Sequence, residues 1–98
     1  MDHYRHGDLV ILRVDAIPAG AIPQQHRILA EGEATGHAHR VDTGILYERD
    51  GRLYLDVAAA KASLTHEEHG TIILPTGRYE VRRQREYIAP ELTRQVAD

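Results

Sequence analysis

The dipeptide Asp50-Gly51 constrains this chain more than any other feature of its sequence. It stands between Ile45-Leu46-Tyr47-Glu48-Arg49 and Arg52-Leu53-Tyr54-Leu55-Asp56-Val57. Both central residues of a type I′ turn need positive φ, which Asp-Gly tolerates, so the flanking runs predict an antiparallel hairpin. Similar short β-rich runs fall at 8–14, 27–31, 71–74 and 78–88, and 36–41 reads as extended. Residues 17–23, with two prolines and a glycine, predict a loop, and Pro75-Thr76-Gly77 predicts a turn. Residues 58–64 are alanine-rich and admit one or two helical turns. Residues 90–96 suit a short C-terminal helix. Six or seven strands with turn signals every roughly eight to twelve residues predict an all-β fold, a small antiparallel β-barrel or sandwich. The 98 residues are expected to form a single β domain over 1–98.

Composition narrows the function classes. There is no Cys, which excludes disulfides, thiolate metal sites and Cys nucleophiles. Phe and Trp are also absent, so the core is expected to be thin, made of Leu, Ile, Val and Ala with Tyr at its margins. A thin core in so small a domain predicts help from a homo-oligomer or a bound metal. The net charge of −3 argues against a broad nucleic-acid or anionic-membrane surface. No apolar run approaches the roughly 18 residues of a spanning helix, and the N-terminus lacks the apolar core of a secretory signal. The expectation is a cytoplasmic protein with no membrane role. Ser63 is the sole serine and sits in no nucleophile motif.

Seven histidines in 98 residues are the main chemical signal. In Gly36-His37-Ala38-His39, a strand places both imidazoles on one face, because residues two apart point the same way. In His66-Glu67-Glu68-His69, a turn lets the two histidines converge. The expected metal ligands are therefore His37, His39, His66 and His69. They suit a divalent transition metal, zinc first, with iron or manganese as alternatives. Glu67 and Glu68 are candidates for a fourth ligand or a general base. The competing reading is that these are exposed polar side chains on loops. The zincin motif H-E-x-x-H is not met, since the second His comes one residue early. His3 and His6 fall in an N-terminal segment expected to be mobile, and His26 in a loop.

The run Tyr79 to Tyr87 supplies a third group. If its alternation stays regular, Tyr79, Val81, Arg83, Arg85 and Tyr87 share an inward face. Guanidiniums there need acidic partners, for which Glu31, Glu33, Asp42, Glu67 and Glu68 are available. The alternative is an anion pocket in which Arg85 and Tyr87, with Arg83, orient a small anionic ligand.

Gly36-His37-Ala38-His39 resembles the first motif of cupins, and Pro75-Thr76-Gly77-Arg78-Tyr79-Glu80 resembles their P-x-G turn. Asp42 stands near the place of the cupin Glu, and Glu80 at the place of the later cupin His. The resemblance implies a metal held inside a barrel with access from one mouth. Segments 30–39, 65–74 and 84–87 also resemble small uncharacterised bacterial or phage proteins. Three functions follow as expectations. The first is a metal-binding β-barrel, acting on a small anionic substrate by metal-assisted hydrolysis or cupin-like oxidation or isomerisation. The second is a metal-free phosphodiesterase using His, Arg and Tyr on RNA. The third is a non-enzymatic assembly or regulatory module pairing strand edges between copies.

Overall fold

The computed structural model describes residues 3–32 and 36–84. They form eight strands: β1 (His3–His6), β2 (Leu9–Val14), β3 (Ile22–Pro23), β4 (Ile28–Glu31), β5 (Ala38–Val41), β6 (Ile45–Arg49), β7 (Arg52–His66) and β8 (His69–Arg83). All pairings are antiparallel. The order is β1-β2-β8-β7-β5-β4, with β6 also on β7 and β3 on β6. The all-β expectation holds. The strands number eight rather than six or seven: β1 and the two-residue β3 add to the expected set, and the runs beginning at 71 and 78 join in one strand, β8. The suggested C-terminal helix, like Arg85 and Tyr87, lies outside the described residues. The β6–β7 hairpin turns at Asp50 (φ +54°) and Gly51 (φ +79°), as the type I′ signature requires.

Strands β7 and β8 resolve one open reading and correct one expectation. Residues 58–64 are strand throughout, and Pro75-Thr76-Gly77 lies within β8 rather than between strands. Partner pairing decides both points: Lys61 faces Pro75 and Val57 faces Gly77. Three alanines, Ala58 to Ala60, therefore span the place of a single partner residue, Thr76, and the ladder bulges. The bulge bends the hairpin. A straight strand of fifteen residues would run roughly 45 Å, beyond the 43 Å longest dimension of the molecule. Yet both ends of β8 meet the β1–β2 turn: the Gly70 carbonyl bonds His6 at 2.9 Å, and Arg83 Nη1 reaches Asp8 Oδ2 at 3.2 Å.

The fold-back encloses the core. Leu64 and Leu74 from the outer half of the hairpin pack with Leu55 and Tyr79 from its inner half and with Leu9 and Ile11 of β2 and Leu46 of β6, all essentially inaccessible. Tyr79 sits at the centre rather than the margin. Its hydroxyl donates to the Pro75 carbonyl (2.6 Å) and accepts from Arg13 Nη2 (3.1 Å), so burying it leaves no polar atom stranded. The guanidinium of Arg13 also covers its ring at 5.1 Å. Burial pushes the phenol above its ordinary range.

Candidate functional site

The bend returns the β7–β8 tip to the beginning of the chain, and the histidines gather there. His66 and His69 face each other across the Glu67-Glu68 turn. Strand β5 pairs with β7 through Arg40–Thr65 and Val41–Leu64, which sets His39 beside the tip. Strand β1 ends at His6, which closes the group. The rings of His6, His39, His66 and His69 lie with every centroid pair between 4.3 and 6.4 Å apart. Offered one nitrogen each, His39, His66 and His69 have ligand atoms within 4.8 Å of one another. A second group, His37, His66 and Glu67, meets the same distance and shares His66.

His6 is a correction. It lies in β1 and is 3% exposed, comparable to His39 at 5%, where a loose terminal segment was the expectation. Its Nδ1 lies 2.9 Å from His39 Nδ1, and its Nε2 bonds the Gly70 carbonyl. Sequence reading missed it because its partner is 33 positions away; the signal available was Gly7-Asp8, a turn pair that makes residue 6 the end of a strand. Gly7 (φ +62°) is also required sterically. A Cβ there would stand 2.7 Å from His69 Nε2 and 3.1 Å from His39 Cε1, so bare backbone forms one wall of the cluster. His3 and His26 stay on the surface, away from the cluster.

Electrostatics keep the buried rings neutral. Desolvation, then the neighbouring His66 and His6, holds His39 down at about 4, with Asp8 opposing. Burial lowers His6 as well, against the stabilising Gly70 carbonyl and with help from His69 and His66. Neutral imidazole is the form that can ligate a metal, and burial favours that form in these two rings.

The two glutamates have local partners. Glu67 Oε1 accepts the Ala38 N–H (3.0 Å) and Oε2 accepts from Arg40 (3.2 Å), which pins the tip to β5. The Ala38 N–H, then its own N–H and Arg40, hold its carboxyl at about 2. Glu68 Oε2 meets His37 Nδ1 at 2.6 Å, and the Glu68 N–H donates to His66 Nδ1 at 2.9 Å. Arg83 pairs with Asp8, which was not among its expected partners, and its other nitrogen reaches the Glu31 carbonyl. Asp8 Oδ1 in turn stands 3.8 Å from His39 Nε2, so an anion–cation pair borders the histidines. Glu80 lies apart from them. It is held by Arg82 Nε (2.8 Å) and Arg52 Nη1 (3.2 Å), and so does not take the place of the later cupin His.

Residues 5–84 match a family described as a domain of unknown function, DUF8820. This chain belongs to the DUF8820 family. The matched span contains His6, His37, His39, His66 and His69 and every strand but the first residues of β1. The match is to DUF8820 and not to cupins. No curated protein and no solved structure matches the chain. Among the described residues no helix is long and apolar enough to cross a membrane.

Proposed function

We propose that this domain binds one divalent transition metal through His39, His66 and His69, zinc first, with iron or manganese as alternatives. The observation supporting this reading is the convergence of three imidazoles from two separate hairpins within 4.8 Å. Zn–N bonds of about 2.0–2.1 Å in a tetrahedron set ligand nitrogens roughly 3.4 Å apart, so modest ring rotations close the gap. The His37, His66 and Glu67 group is the weaker candidate, because both Glu67 oxygens already hold Ala38 and Arg40.

His66 must change partners on binding. Its Nδ1 accepts the Glu68 N–H, which puts the ring proton on Nε2. Ligation through Nε2 would move that proton to Nδ1 and release the Glu68 N–H, which at the exposed tip would turn to water. Three protein ligands leave one coordination position for water or for an oxygen of a small anionic substrate. Arg83, beside the cluster through Asp8, is suited to orient such a substrate. Glu68, paired with His37 at the rim, is the candidate base.

Untagged protein loaded with zinc and then freed of loose metal tests the reading. About one equivalent is expected, lost in His39→Ala and His69→Ala. Retention of under about a tenth of an equivalent by the wild-type chain overturns it.

A further inference from the structure

We infer that His6 is a positioning residue rather than a fourth ligand: it locks His39 so that Nε2 faces the metal, and it keeps the site three-coordinate and open to a small anion. The effect on metal and anion rests on the metal reading above, whereas the hydrogen-bond relay does not.

The argument is one of donors and acceptors. A carbonyl oxygen only accepts, so the 2.9 Å contact with Gly70 requires the proton on His6 Nε2. A neutral imidazole has one N–H, which leaves His6 Nδ1 as an acceptor. The 2.9 Å contact between the two Nδ1 atoms then requires His39 Nδ1 to donate. His39 is left with a bare lone pair on Nε2. A ligating His that donates its other ring N–H to a fixed acceptor is the usual outer-shell arrangement, and here the acceptor is a second histidine anchored to the backbone. Both His6 nitrogens are thereby occupied, and His6 is not part of the group whose ligand atoms meet. A four-imidazole cage would be closed and structural. Three imidazoles with His6 behind them leave a position for hydroxide or an oxyanion, next to the Asp8–Arg83 pair.

Nitrogen-detected NMR of the metal-free chain at pH 7.5 reads the tautomers directly. The expected result is His6 protonated on Nε2 and His39 on Nδ1. His39 protonated on Nε2 overturns the inference whether or not the chain takes up metal. The expected tautomers in a chain that takes up no metal overturn the metal reading and, with it, the open-site part of this inference, while the relay stands. With cobalt(II) as the probe metal, His6→Ala should bind about 10–100-fold more weakly, and His6→Gln, which keeps an acceptor and a donor, should recover most of that loss. Equal weakness of His6→Gln and His6→Ala would make His6 a ligand and overturn the assignment. Azide should alter the visible spectrum of the cobalt-loaded wild-type chain; a spectrum blind to azide contradicts an open position.

Discussion

Among the described residues, the buried histidines and carboxylate fall in two places, which solve the same problem in opposite ways. At Glu80, a nearly inaccessible carboxylate is met by Arg82 at 2.8 Å and Arg52 at 3.2 Å. Opposite charges offset the loss of water, as expected of a structural ion cluster. At His39, like groups are gathered instead. Four imidazoles share one space, and the two that are almost fully buried, His6 and His39, are held neutral by desolvation. The first arrangement is complete as it stands. Under the metal reading proposed above, the second would gain from a cation that replaces ring–ring crowding with bonds, and on that reading the contrast is one between a packing device and a binding site.

The sharpest way to break the contrast is to add metal. Zinc at a hundred times its dissociation constant should stabilise the chain by about 2.7 kcal/mol. For a domain of this size that is roughly 10–20 °C in Tm by scanning calorimetry. Glu80→Gln should leave that increment intact, while His39→Ala should erase it. Equal increments in all three chains would mean the histidines are as inert to metal as the Glu80 cluster.

Next in size is the wall of the cluster. Gly7→Ala forces an L side chain into φ +62° and sets its Cβ 2.7 Å from His69 Nε2. A loss of about 1–3 kcal/mol in urea unfolding is expected, together with weakened zinc uptake. Loss of stability with full zinc affinity would show that the ring of His69 moves aside freely.

Acid should separate the regions further. His39 is held at about 4 in the folded chain, against its ordinary 6.5. Below 6.5 the unfolded chain therefore binds the proton that the folded chain refuses, so stability falls as pH drops from 6.5 to 4 and is fully present above 6.5. Glu67, held at about 2, adds a second loss of the same sign between its ordinary 4.5 and 2. His39→Asn should flatten the Tm profile between pH 6.5 and 4; an unchanged profile would assign the acid sensitivity elsewhere. The smallest effect expected is that of Glu80→Gln at neutral pH. It keeps the shape, and Arg52 is more than half exposed, so about 1 kcal/mol is lost.

Local chemistry was legible in the sequence, and long-range placement was not. Asp50-Gly51 announced its hairpin because a two-residue turn is dictated by the residues within it. The spacing of His39, His66 and His69 fits the strand and turn that bring them together, whereas His37 stands just before β5 and falls in a second group with His66 and Glu67. Pro75-Thr76-Gly77 looked like a turn because its residue types fit one, yet in the fold it lines the bend of a continuous strand. Its conformation is set by Val57 and Lys61 across the ladder. His6 and Asp8 were invisible as site members for the same reason. They join the cluster only when β8 has folded back, and no local pattern carries that information. Tyr79 was placed at the margin by the usual cost of burying a hydroxyl, which the Pro75 carbonyl and Arg13 remove.

The fold-back has a consequence for time as well as for shape. The bond between His6 and the Gly70 carbonyl joins residues 64 positions apart, so the first hairpin must wait for nearly the whole chain before its last side chain finds a partner. Topologies dominated by such distant pairings fold slowly, in milliseconds to seconds. A cation seated among these rings would act as a clasp fastened after the rate-limiting step, slowing the exit from the native state while leaving the rate of arrival almost untouched.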